Sequence, residues 1–531
     1  MEYVDTLIRK GKIYTLKEEG DLVEALAIDK GKIIFAGSKD ESQKYIASEI
    51  VDLGGKTVIP GMGDSHLHLY AYCQNKALIN LESVKSMDAL IQTIRARALE
   101  TEKGRWLKGV GFDQNKYPES RLPNRWDLDK ISREHPIVIR RCCLHVMVAN
   151  SLAIEMASIT EEDIKKFDGL IELDDRGEMT GIFREAATSI FDDIVPDPLS
   201  EAEVKQKIML EVFDEMVSKG ITIIHTYSAN IWNYFEDIDT YRLLESEGKL
   251  PIRIIVNLDE LFENDGINWD DNPYIKVKYG SYKLFTDGSL GARTAALMEP
   301  YSDDKDNYGI LVDRHKLYNE LLEAYSRGLQ PAIHAIGDRA IQLCLDAIEY
   351  AIDKCGYDIK RKPFRIIHAQ LVNQKQLKRM KELPVVLDIQ PIFLCTDLYW
   401  VDSRLGSKRV DWAYMWKTLM ENGIIMAGGS DCPVESFDPI KGIHAAVTRK
   451  DFNGFPKDGW HPEEKLSVYQ AICLFSKNIA YMTGDEDILG TLEEGKYADF
   501  VVLDKDPFTI EPDNLKDIKV LATYVAGKKV Y

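Results

Sequence analysis

The chain has 531 residues, with 67 basic against 87 acidic side chains for a formal charge of −20, and is 45% hydrophobic. That apolar content excludes a disordered chain, and the length exceeds the roughly 250 to 300 residues at which one core stops growing, so two or three globular units are expected. The acidic balance, with no extended Lys/Arg run, argues against nucleic acid or an anionic membrane as the main partner and favours an ordinary acidic enzyme surface. In chain order, residues 1–55 read as short strands broken by Gly turns: YVDTLIRKGKIYTL, LVEALAIDKGKIIFAG and EIVDLGGKTVIPG. The same texture returns only in GTLEEGKYADFVVLDKDPF and IKVLATYVAGKKVY. Neither end has enough strands to cover its own apolar face, so residues 1–55 and 482–531 are expected to build one composite β-sandwich.

Between these ends, apolar strands alternate with helical patterns, the rhythm of a parallel α/β fold. Ile341, Cys344, Leu345, Ile348 and Ile352 show the helical spacing. Short β-branched runs ahead of a Gly, His or Asp fall at 57–60, 221–225, 252–256, 281–286, 331–334, 364–368, 385–389 and 424–429. Eight such runs are what a (β/α)8 TIM barrel needs, here spanning 56–70 and 206–481. Residues 71–205 are too many for one barrel connection and carry their own strand-like and helical runs, including WLKGVGF and HPIVIRR. They are expected to form an inserted α+β subdomain over the barrel mouth. No apolar stretch approaches the roughly 18 residues of a spanning helix, and MEYVDTLIRKGKIYTL has no signal-peptide core, so a cytoplasmic location is expected. None of the eight cysteines forms a CxxC pair, which makes reduced thiols the default and a Cys-based zinc site improbable.

The most informative segment is VIPGMGDSHLHL, where a strand runs into a bend and places His66 and His68 two apart. In extended chain residues i and i+2 face the same way, so both imidazoles can reach one ion. An isolated pair of this kind is as readily polar surface. However, His334 follows PAI, His368 follows FRII and Asp431 follows IIMAGGS, each at the C-terminal end of an expected barrel strand, where such barrels build their active sites. Any one of them alone reads as a hydrogen-bonded loop residue or a helix cap. Their joint placement on the first, fifth, sixth and eighth strands points to a metal centre. His225 ends the second expected strand and is a candidate substrate-lining residue.

With PGMGDSHLHL, TGIFREAA, KLFTDGSLGARTAAL, HAIGDRA, RIIHAQ, GGSDCPVE and GTLEEGKYADFVVLDKDP in this order, the chain resembles the amidohydrolase superfamily, and within it the YtcJ-like hydrolases and N-substituted formamide deformylases. The resemblance covers nearly the whole chain. It implies His66, His68, His334 and His368 as metal ligands. Asp431 then corresponds to the aspartate that contacts metal and takes the proton of the nucleophilic water. Lys283, in SYKLFTDG, matches the fourth-strand lysine that related enzymes carboxylate with CO2 to make a bridging ligand. A lysine in an apolar strand is otherwise costly to bury, and must be modified or paired with an acid. His145 and Arg293 are added as substrate-binding candidates, although Cys143 and Leu144 stand where relatives carry Asp-Gly ahead of the histidine. The implied cofactor is one or two divalent transition ions, zinc first, with Fe, Mn, Co or Ni as alternatives. The implied reaction is hydrolysis of a non-peptide C–N bond. Ester or lactone hydrolysis, deamination, or a silent binding relative are the competing readings. A homodimer is compatible with the family but is marked by no feature of the sequence.

Overall fold

A computed structural model describes every residue except 1, 143–145, 168, 193, 228–236, 260–273 and 357–361. It divides into two compact units, Met1–Tyr70 with Leu210–Tyr531, and Ala71–Met209.

The first unit holds an eight-stranded parallel barrel. Its strands, in spatial and chain order, are Met62–Leu67, Ile221–Tyr227, Arg253–Leu258, Val277–Phe285, Pro331–Ala335, Phe364–His368, Val385–Ile389 and Ile425–Gly428. Strands such as RIIVNL and FRIIH are buried along their whole length, as a parallel sheet covered on both faces requires. The helix Asp338–Cys355 covers one outer face and buries Ile341, Cys344, Leu345 and Ile348, as the spacing predicts. The barrel closes between its eighth and first strands through a Leu67–Cys432 bridge, with Asp431 N donating to His66 O and His68 N to Cys432 O, both at 2.7 Å. Gly429 is required at this seam, because a Cβ there would lie 2.7 Å from His66 N.

One expectation needs correcting. Thr57–Pro60 is not the first barrel strand: it pairs parallel with Lys12 and Ile13 and antiparallel with Phe500–Leu503, in the terminal sheet. The first barrel strand is the next segment, MGDSHL, which turns inward through Gly61. Its polar residues hide it from a search for β-branched runs, and its pairing with Ile221–Thr226 decides the matter.

Inside the barrel, Ile223, Ile255, Val386 and Ala427 form an apolar layer. Two residues further along the same strands, His225 and Asp388 replace aliphatics and are joined to the buried Arg365. A polar storey therefore lies between the apolar layer and the strand ends.

The chain ends meet as expected. Glu2–Tyr14, Leu22–Asp29, Lys32–Gly37, Tyr45–Asp52 and Thr57–Pro60 share one mixed sheet with Phe500–Leu503, Val520–Val525 and Lys528–Lys529. Ile8, Ile13, Leu26, Val58 and Phe500 cluster in one core of this sheet, while Val4, Leu7, Ala25 and Phe35 cluster in another. The barrel is tied to it by the buried Arg253, whose Nε and Nη2 donate to Asp499 at 2.8 and 3.1 Å. The second unit is α+β: a six-stranded mixed sheet in which WLKGVGF and HPIVIRR supply Leu107–Phe112 and Ile137–Arg141, packed with the helix Met87–Glu100. Among the described residues, no helix is long and apolar enough to cross a membrane.

Candidate metal centre

His66, His368 and Asp431 each offer one ligand atom, and these atoms lie within 4.8 Å of one another. Two of the three occupy left-handed backbone, His368 at φ 72° and Asp431 at φ 56°. Such conformations cost of order 1–3 kcal/mol in residues other than glycine and persist where surrounding structure holds them. Here barrel closure does so for Asp431, whose N–H is bound to His66 O. Asp431 Oδ1 lies 3.3 Å from His66 Nε2 and 3.2 Å from His68 Nε2. Burial alone would raise the Asp431 carboxyl, but the facing His66 and His68 overcome this and hold it well below the usual carboxylate range. It is an anion throughout the physiological range.

Three outer ring nitrogens have oxygen partners, while His66 Nδ1 makes no hydrogen bond among the described residues and lies 3.7 Å from Asp388 Oδ2. His68 Nδ1 bonds Tyr227 O at 2.8 Å, His368 Nδ1 bonds Gln390 Oε1 at 2.6 Å, and His334 Nε2 bonds Gly288 O at 3.2 Å. A nitrogen that donates to an oxygen carries the proton, so Nε2 of His368 and Nδ1 of His334 keep the lone pair, whereas His68 has an oxygen at both nitrogens, Tyr227 O at Nδ1 and Asp431 Oδ1 at Nε2. The His334 and His368 rings meet edge to face with centroids 4.5 Å apart. Burial and the neighbouring His334 push the His368 imidazole well below its ordinary pKa, and burial with Lys283 lowers that of His66. Neutral imidazoles beside one carboxylate are the donor set a borderline divalent ion takes.

Lys283 is buried on the fourth strand, its Nζ 3.2 Å from His66 Nε2 and over the Tyr227 and Phe285 rings at 4.8 and 5.1 Å. Burial brings it down to about 8, against the pull of Asp431 and Asp388. An amine so placed is partly neutral at physiological pH.

The other candidates fall elsewhere. His225 is fully buried in the barrel interior with Nδ1 3.2 Å from Arg365 Nη1, and burial with that guanidinium pushes it well below its ordinary pKa. Arg293 is committed to Asp303, at 3.1 and 2.9 Å, a carboxylate that also takes Arg404. His145 lies outside the described residues, as do Cys143 and Leu144.

Sequence reasoning did not single out Arg365, Asp388 and Gln390. Arg365 Nη2 donates to Asp388 Oδ2 at 2.5 Å and to Ser65 O at 2.9 Å, and Ser65 Oγ donates to Asp388 Oδ1 at 2.5 Å. Burial would raise the Asp388 carboxyl, and Arg365 and His66 overcome it and hold it low. The available signal was a charged or amide residue inside an apolar strand, in FRIIH and VVLDIQ.

Comparison with known proteins agrees with this geometry. A family model described as "Amidohydrolase family" matches residues 49–531. The putative amidohydrolase YtcJ of Bacillus subtilis (strain 168) is 34% identical over 531 residues, covering 98% of each chain. The N-substituted formamide deformylase of Arthrobacter pascens is 23% identical, covering 98% of this chain and 97% of its own. The crystal structure of an uncharacterised metal-dependent hydrolase from Pyrococcus horikoshii OT3 is 32% identical, with a TM-score of 0.77 over 96% of this chain and 99% of that one.

Proposed function

Because the chain belongs to the amidohydrolase family, we propose that it hydrolyses an N-substituted amide, formamide or cyclic amide of small size, using Asp431 as the proton-transfer group. The chain is a metal-dependent hydrolase acting on a non-peptide C–N bond. The observation that carries the reading is the meeting of His66, His368 and Asp431 within 4.8 Å. The named activity of the formamide deformylase relative, similar over nearly all of both chains, supports the choice of bond.

We assign the metal to His66, His68, His334, His368 and Asp431, with zinc first because imidazole nitrogen suits it. When bound, a divalent ion supplies Lewis acidity, polarising the scissile carbonyl and lowering the pKa of water toward about 7. Asp431, anionic at neutral pH, accepts the proton released as water attacks and delivers it to the departing nitrogen. Lys283, lowered to about 8 by burial, has the neutral amine that CO2 requires. Addition forms an N–C bond and releases one proton, leaving a carbamate anion in place of an ammonium that would repel a metal ion.

Elemental analysis, chelation and a screen of N-formyl and N-acyl compounds test the reading. Strong chelation should abolish hydrolysis and added Zn or Mn should restore it. Metal-free protein with full activity would sink the mechanism. Reconstitution in bicarbonate should exceed reconstitution in CO2-depleted buffer, and Lys283→Ala should remove that difference.

A further inference from the structure

We infer that Gln390 is a positioning residue for the metal centre: its side-chain amide fixes the tautomer of His368 and presents a neutral oxygen to its outer nitrogen. The inference rests on the metal assignment above. Gln390 follows the seventh barrel strand and is 4% exposed. Its Oε1 lies 2.6 Å from His368 Nδ1, and its Nε2 donates to Asp388 O at 3.0 Å.

The second of these contacts settles the orientation of the amide. Reversing it would set Oε1 against the Asp388 carbonyl oxygen, two acceptors 3.0 Å apart, so Nε2 must face the carbonyl and Oε1 the imidazole. An acceptor at Nδ1 requires a proton there, which leaves the lone pair on Nε2.

A carboxylate commonly fills this place beside a ligating histidine and raises its basicity. Here the nearby carboxylate, Asp388, accepts from Ser65 and Arg365 and faces His66 at 3.7 Å, and it is Gln390 that presents a neutral oxygen to His368. A neutral acceptor orients the ring without pushing electron density through it, so an ion held by His368 keeps more of its Lewis acidity.

The test compares metal affinity by chelator competition, alongside kcat at saturating metal, for wild type, Gln390→Leu and Gln390→Glu. Gln390→Leu keeps the bulk and removes the acceptor, and should bind zinc 10- to 100-fold more weakly. Gln390→Glu restores an acceptor and makes it anionic. It should hold zinc at least as tightly as wild type while its kcat at saturating metal falls. If Gln390→Leu does not fold, Gln390→Met is read in its place. Equal weakening of both variants, or wild-type affinity in the leucine variant, overturns the inference and leaves the metal assignment standing. Wild-type protein that binds no zinc removes both.

Discussion

Asp431 bears on the proposed chemistry most directly, since its carboxylate faces two imidazoles. Asp431→Asn should keep the fold and part of the metal while kcat falls by on the order of 10² to 10⁴, as expected for a general acid–base group. Steady-state kinetics on metal-reconstituted variant checks this, and an unchanged kcat removes Asp431 from proton transfer. A second titrating group lies away from the centre. His444 is 1% exposed in the helix Pro439–Thr448, against Phe452 and facing Lys450, Asp513, Lys516 and Asp517, and burial lowers its pKa to about 4. The unfolded chain binds this proton below about 6.5 and the folded chain only below about 4. Stability is therefore lost as pH falls through that window, by up to about 3 kcal/mol. In urea unfolding at pH 7 and pH 4.5, His444→Leu should show the smaller drop. The three residues of the cluster, His66, His368 and Asp431, were legible in the sequence because they stand at strand ends next to recognisable turns. Gln390, Asp388 and Arg365 were not, because an outer partner can lie on any neighbouring strand and its spacing from the ligand carries no pattern.

Among the elements, the seam between the first and eighth strands sets the ligand geometry. His66 O receives the Asp431 N–H, and Asp64 accepts from Ser430 N and Oγ at 3.1 and 2.5 Å, so the two ligating segments are stitched side by side. Gly429→Ala would drive a methyl group to 2.7 Å from His66 N and 2.9 Å from Asp64 Oδ1. Backbone must move there, and a displacement near 1 Å in a catalytic group costs roughly 10²-fold in rate. The variant should lose kcat and metal content, with a smaller effect on Tm. Retained metal and kcat would mean that the seam is pliant. The same element explains the misplacement of the first barrel strand. Thr57–Pro60 has the apolar pattern of a parallel core strand because it too is buried on both faces, in the other sheet. Only its partners distinguish it, and partners are a property of tertiary structure.

For the molecule as a whole, the eight-fold alternation and the shared texture of the two ends made the barrel and composite sheet readable, since both leave a period in the sequence. Among the contacts that join them is a buried ion pair with no such period. Arg253 and Asp499 are 246 residues apart, and Asp499 Oδ1 also accepts from Ala526 N at 2.6 Å. Asp499→Ala leaves a buried guanidinium without its carboxylate and should cost about 3–5 kcal/mol, whereas Arg253→Met with Asp499→Leu should cost much less than the two changes summed. Urea midpoints of the three variants measure this. Additive losses would show that the pair is not coupled.

The joining of both ends in one sheet also has a consequence in time. Lys12 Nζ contacts Asp506 across 494 residues, and Thr57–Pro60 finds its outer neighbour only in Phe500–Leu503. At roughly 5–20 residues per second, synthesis keeps the early strands waiting on the order of 25 to 100 s with an unpaired edge. An unpaired edge is a template for other chains. The nascent protein is thus most exposed to aggregation before its last strands are made, and a chain ending before residue 500 should express mainly as insoluble material while the full chain stays in solution.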